Sequence, residues 1–127
     1  MDAQDMGNAL ERILVTEDEL ARRMAELAAE IDADYQGKEI LLVGVLKGAV
    51  MVVADLSRHL HTPLSMDWMA VSSYGAGTKS TGVVRILKDL DTDVTGRDVL
   101  IVEDIIDSGL TLSWLRENLL VRGAASV

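Results

Sequence analysis

The chain has 127 residues, 49% of them hydrophobic, with Trp68, Trp114, Tyr35 and Tyr74 its only aromatics and no Phe or Cys. A formal net charge of −9 argues against nonspecific nucleic-acid binding and against an anionic membrane surface, since both reward a basic face. Without cysteine there is no disulfide and no thiolate chemistry, and the length suits a single domain, residues 1–127, with an aliphatic core.

The start, "MDAQDMGNALER", is acidic and polar, unlike a signal or transit peptide. The apolar runs are broken by Gly, Lys or Asp well short of a membrane span, so a soluble cytoplasmic protein is expected. Ala9–Thr16 reads as a short extended lead-in. Thr16 and Glu19 have the spacing of a capping box, and Leu20, Met24, Leu27, Ala28 and Ile31 then recur as one face of a helix. Gly37 closes that segment. Glu39–Leu46, "EILLVGVL", is a continuous aliphatic run, the pattern of a parallel strand buried on both faces. A helix is expected from about Gly48 to Leu60, with Pro63 breaking it, and a strand over Ser65–Val71. Strand, helix and strand make a right-handed βαβ crossover.

Ser72–Gly82, "SSYGAGTKSTG", has little to bury and is long for a compact domain, which suits a functional lid. Val83–Leu87 reads as a returning strand, and Asp98–Asp104, "DVLIVED", as another buried one. Thr111–Gly123 is expected to be a helix with Leu112, Leu115, Leu119 and Leu120 inward and Gly123 as its stop. "AASV" looks like the start of a further strand.

The chemistry concentrates in "VLIVEDIIDSGLTL", Val99–Leu112. In an open parallel sheet, ligands sit at the carboxyl ends of the strands, and Glu103 and Asp104 fall at such an end. Two carboxylates there can accept hydrogen bonds from sugar hydroxyls or hold Mg²⁺. Asp107–Thr111 leads into a helix N-terminus, whose N–H groups and dipole favour an anion. Gly109 permits close approach of a phosphate, and Ser108 and Thr111 add hydroxyl donors. Asp107 would repel a phosphate, so it is expected to face the reacting centre as general base or acid. "DSGLT" alone is an ordinary strand-to-helix turn; the three acids around an aliphatic strand end are what a turn does not explain. His59 and His61 read as solvated residues near a helix end, and Lys79 and Arg85 as surface charges. Met66, Trp68 and Met69 read as core or interface.

This run resembles the 5-phosphoribosyl 1-diphosphate (PRPP) signature of type I phosphoribosyltransferases. "LLVGVLKGAV" (Leu41–Val50) is similar to the pyrophosphate loop of the hypoxanthine-guanine branch. "SSYG" (Ser72–Gly75) is similar to the start of its mobile lid, and the segment from Thr16 to Ile40 to its first helix. The resemblance runs from about Ala9 to Val127.

It implies an α/β fold of the type I phosphoribosyltransferase kind, a Rossmann-like parallel sheet flanked by helices, with its small hood only partly present. It implies that Glu103 and Asp104 hold the ribose hydroxyls, with Mg²⁺ on the same diol. Asp107 is implied as the proton acceptor near N7 of the purine, and Ser108, Gly109, Leu110 and Thr111 as the wrap around the 5′-phosphate. Leu46, Lys47 and Gly48 correspond to the pyrophosphate loop, with the Leu46–Lys47 peptide bond cis. Ile105 corresponds to an apolar wall of the base pocket, and Ser73 and Tyr74 to lid residues over pyrophosphate. The implied reaction joins a 6-oxopurine to PRPP, giving a nucleoside 5′-monophosphate and pyrophosphate, in a homodimer or homotetramer. In the family, the lysine that reads the 6-oxo group, the stacking aromatic and a further Mg²⁺-associated aspartate follow the position of Val127.

Rival readings are a xanthine-preferring transferase, a non-catalytic PRPP- or nucleotide-binding regulator on the same fold, and a signalling receiver domain. The receiver carries its acidic pair on the first strand, with its other site residues later, and too little chain follows Asp104 for that layout. The acidic balance counts against a nucleic-acid-binding regulator, and "VLKGA" disfavours adenine and orotate types.

Overall fold

The computed structural model describes residues 2–73 and 84–127. A 3₁₀ turn at Gly7–Ala9 leads through irregular chain to helix α1 (Glu17–Asp34). Then come β1 (Ile40–Val45), α2 (Ala49–His59), β2 (Leu64–Ser73), β3 (Val84–Lys88), β4 (Asp98–Val102) and α3 (Leu110–Val121). Both halves of the capping box start α1. The Glu19 N–H donates to Thr16 Oγ1 at 3.2 Å, and the Thr16 N–H donates to Glu19 Oε2 at 2.8 Å.

The sheet order is β3-β2-β1-β4. β1 pairs in parallel with β2 on one side and β4 on the other, so Leu42 lies between Met66 and Leu100. That central place is why all six β1 residues are buried and why the sequence there does not alternate. Successive side chains leave a strand on opposite faces. Ile40 and Leu42 accordingly join Ala28 and Ile31 of α1 and Ala49, Val53 and Leu56 of α2 in one cluster. Leu41, Val43 and Val45 join Met69, Val99, Leu115 and Leu119 in the other. Helices α1 and α2 thus cover one face and α3 the other. β3 runs antiparallel to β2, so the sheet is parallel in three of its strands and closed by an antiparallel edge.

Three expectations are corrected in detail. Leu20 and Leu27 are exposed on α1 (56% and 36%), because its apolar stripe is wider than the contact it finds, which centres on Ala28 and Ile31. Leu120 is likewise exposed (38%); the line that α3 buries is the i, i+4 pair Leu115 and Leu119, and Leu120 sits about 100° further round. Ser72 and Ser73 belong to β2 rather than to the loop; the rest of the expected lid lies outside the described residues. "AASV" does begin to pair: Ser126 bridges Asp98 in parallel, and its carbonyl accepts from the Val99 N–H at 2.9 Å.

One buried carboxylate ties the chain after β3 to the sheet. Asp67 on β2 is 5% exposed and accepts from the N–H groups of Asp91 (3.0 Å) and Thr92 (2.8 Å) and from that of Trp68 (2.7 Å). Burial pushes its carboxyl up, but these bonds, with that from the Thr92 side chain, outweigh burial and leave it below the ordinary aspartate range. A carboxyl depressed in the folded state contributes stability above its unfolded pKa, and that contribution is lost as pH falls. Unfolding measured by denaturant titration at a series of pH values should therefore show stability falling below about pH 4, the unfolded aspartate value. Asp67→Asn should flatten that fall; an unchanged slope would assign the acid lability elsewhere.

Candidate active site

Strand order reverses at β1, since the chain moves from β1 to β2 on one side and returns to β4 on the other. Such a switch point leaves a crevice beyond the carboxyl ends of the two strands. Here those strands are β1 and β4, paired as far as Gly44 and Val102. The residues that follow each strand are the ones the sequence singles out.

After β1 come Leu46, Lys47 and Gly48. The Leu46–Lys47 peptide bond is cis. The Leu46 N–H donates to the Met69 carbonyl at 2.7 Å, and the Lys47 carbonyl accepts from Val50 N–H at 3.2 Å. The turn is thereby held between β2 and the first turn of α2, with Lys47 and Gly48 exposed.

After β4 come Glu103 and Asp104. The Asp104 N–H donates to Glu103 Oε1 at 3.2 Å. Burial, and then the hydrogen bonding and charge of the Asp104 side chain, raise the Glu103 carboxyl above the ordinary glutamate range, outweighing the Asp104 N–H bond, which lowers it. The Asp104 carboxylate lies directly against Gly48: a Cβ built on Gly48 would stand 2.5 Å from Asp104 Cγ and 2.6 Å from Oδ1. The two loops, remote in sequence, are in contact.

Asp107–Thr111 forms the turn into α3. Gly109 is the N-cap of that helix with φ +80°, the left-handed region that a β-branched residue enters only under strain. A Cβ there would meet nothing within 4 Å, so the requirement for glycine is one of backbone conformation. Its carbonyl accepts from Ser113 N–H at 2.9 Å, opening the helix, and Ser108 Oγ accepts from Leu110 N–H at 3.4 Å. Asp107, Ser108 and Leu110 are exposed and Thr111 is half-buried. Ile105 stands 74% exposed, an apolar surface beside the acids.

The structure thus gathers Leu46, Lys47, Gly48, Glu103 and Asp104 at neighbouring strand ends and places Asp107–Thr111 on the same stretch of chain at the start of α3. Ser73 ends β2, and Tyr74 lies outside the described residues. Among the described residues no three His, Cys, Asp or Glu side chains converge as a metal site by themselves. Glu103 and Asp104 offer two hard carboxylates, a donor set that suits Mg²⁺ retaining water and ligand oxygens.

Sequence reasoning did not single out a second concavity. A cleft of about 540 Å³ opens at the amino ends of β1 and β2, lined by Asp32, Tyr35, Lys38, Glu39, His61 and Pro63 among others. Asp32 is engaged within it. Its carboxylate accepts from Thr62 Oγ1 (2.7 Å) and from the N–H groups of Thr62 (2.8 Å) and His61 (3.1 Å). The His61 ring is exposed but lies 3.1 Å from the same carboxylate.

Comparison with known proteins gives the family. The family model "Phosphoribosyl transferase domain" matches residues 13–127. A hypoxanthine-guanine phosphoribosyltransferase of Mycobacterium tuberculosis is 52% identical over 124 residues, covering 93% of this chain and 61% of the relative. One from Bacillus subtilis is 52% identical over 122 residues, covering 96% of this chain and 68% of the relative. A crystal structure of a hypoxanthine phosphoribosyltransferase from Staphylococcus aureus superposes with a TM-score of 0.89 at 45% identity, covering 96% of this chain and 66% of that one. The chain spans 61% of the length of the mycobacterial relative. A family model over residues 13–127, with half-identical relatives across nearly the whole chain, shows that this α/β chain belongs to the phosphoribosyl transferase domain family.

Proposed function

We propose that the chain carries the PRPP-binding half of a purine-salvage enzyme. That enzyme transfers the 5-phosphoribosyl group to hypoxanthine or guanine, giving IMP or GMP and pyrophosphate. The observation that supports this best is the meeting of the Leu46–Gly48 turn with Asp104 at the switch point. A pyrophosphate loop and a ribose-binding acid pair must lie side by side to hold one PRPP. The names of the relatives supply the 6-oxopurine.

In this reading the 5′-phosphate sits on the N–H groups of Ser108–Thr111 and the N-terminus of α3. Glu103 and Asp104 accept the ribose hydroxyls. The same two carboxylates would hold Mg²⁺, which would supply positive charge toward the departing pyrophosphate. Exposed backbone at Lys47 and Gly48 and the Lys47 ammonium face that leaving group. Asp107 takes the purine proton, making the ring nitrogen a better nucleophile. The segment from Tyr74 onward, which follows Ser73 at the end of β2, would serve as the lid that excludes water, which competes for the same ribose carbon. A cytoplasmic homodimer or homotetramer completes the proposal; among the described residues no helix is long and apolar enough to cross a membrane.

Calorimetric titration of the chain with Mg²⁺ and PRPP, beside Gly109→Val, tests it. The wild-type chain should bind. The variant should lose binding by about 5- to 30-fold, because valine cannot hold φ +80° at the phosphate turn without strain of order 1–2 kcal/mol. It should stay folded, since its side chain meets open space. Equal binding by the two would remove the phosphate cradle, and no binding by a folded wild-type chain would remove the proposal.

A further inference from the structure

Gly48 adopts φ −59° and ψ −38°, helical values open to every L-residue. Its backbone therefore does not call for glycine. Nor does the helix: Gly48 supplies no capping bond to the first turn of α2, so nothing in that turn depends on the residue being glycine. What excludes a side chain is local and specific. The three heavy atoms nearest to a Cβ at this position are Oδ2, Cγ and Oδ1 of Asp104.

Asp104 cannot easily answer by moving its backbone. It stands two residues beyond Val102, which is paired with Gly44 in the central β1–β4 ladder. Its carboxylate, in contrast, is exposed and can turn about its side-chain bonds. A methyl group at position 48 would therefore leave the fold standing and swing the carboxylate off the turn. We propose that Gly48 is a positioning residue for Asp104, its missing side chain being the space that sets where the second carboxylate of the acid pair stands. This rests on the PRPP reading of the site and adds to it. Besides any contact its N–H makes with pyrophosphate, Gly48 sets the geometry of the ribose and Mg²⁺ end, so the two halves of the PRPP site are mechanically one.

A double-mutant cycle separates that role from a direct one. Gly48→Ala, Asp104→Ala and the double variant are each titrated with Mg²⁺ and PRPP by calorimetry. A crystal structure of Gly48→Ala is determined alongside, and melting temperatures check folding. In the wild-type background Gly48→Ala should weaken binding about 10- to 100-fold, as loss of an orienting partner does. In the Asp104→Ala background it should weaken binding by less than about twofold, since the atoms its methyl would strike are gone. The crystal structure should show the Asp104 carboxylate turned away from residue 48. Equal losses in both backgrounds would overturn the proposal, because Gly48 would then serve only the ligand's own approach. So would an Asp104 carboxylate left in place in the Gly48→Ala crystal. If the folded wild-type chain binds no PRPP, the functional reading falls, and the position of that carboxylate alone upholds or overturns the positioning role.

Discussion

Under the proposed function, replacing Asp107 with asparagine should lower kcat for 6-oxopurine phosphoribosyl transfer by about 10²–10⁴, the usual worth of a positioned general base, or roughly 3–5 kcal/mol of transition-state stabilisation. Asparagine keeps the volume and shape of the side chain and removes its basicity. Asp107 is exposed at the mouth of the turn into α3, so little of the fold depends on it, and the unfolding free energy should move within the range of ordinary surface substitutions, about ±0.5 kcal/mol. PRPP affinity, measured by calorimetry, should hold within about threefold, since a group acting only in the transition state changes kcat and not ground-state binding. Equal losses in kcat and in PRPP affinity would make Asp107 a binding residue. An unchanged kcat would leave the proton without an acceptor among the acids of this loop.

The largest effect on stability belongs to β1. Leu42→Ala should cost about 2–5 kcal/mol, from lost transfer free energy and the cavity left behind. Leu42 is fully buried, flanked by Met66 and Leu100 across the two parallel ladders, and covered by the cluster that α1 and α2 build on that face. Neighbours held on all sides collapse poorly into a void, which favours the upper part of that range. Against a typical total of about 5–15 kcal/mol this is a large fraction, and the melting temperature should fall by roughly 10 °C or more. Leu20→Ala is the matched control, because Leu20 is 56% exposed on α1 and should change stability by no more than about 0.5 kcal/mol. A similar loss in both variants, read from denaturant midpoints, would mean that α1 packs against something through Leu20.

Much of the site was legible in the chain because its signals are local. The aliphatic run before Glu103 and Asp104 marks a strand end, and Asp-Ser-Gly-x-Thr marks a turn into a helix. The structure has both, with β4 ending at Val102 and α3 starting at Leu110. The helix faces were read too generously, at Leu20, Leu27 and Leu120. Periodicity shows which residues can share a stripe, whereas burial depends on how wide a neighbour lies across from it.

By itself, then, the sequence determined the elements and where the acids and glycines fall in them: the Thr16–Glu19 cap, the doubly buried β1, the acid pair after β4, and the glycine turn at Gly109. Each depends on residues within a few positions of one another, through hydrogen bonds, dihedral preferences and apolar spacing. Only the tertiary structure decided that β4 lies beside β1, that β3 closes the sheet antiparallel, and that Gly48 touches Asp104. Strand order follows from burying both faces of one sheet at once, and the gap at Gly48 has meaning only when the carboxylate that fills it arrives from another strand.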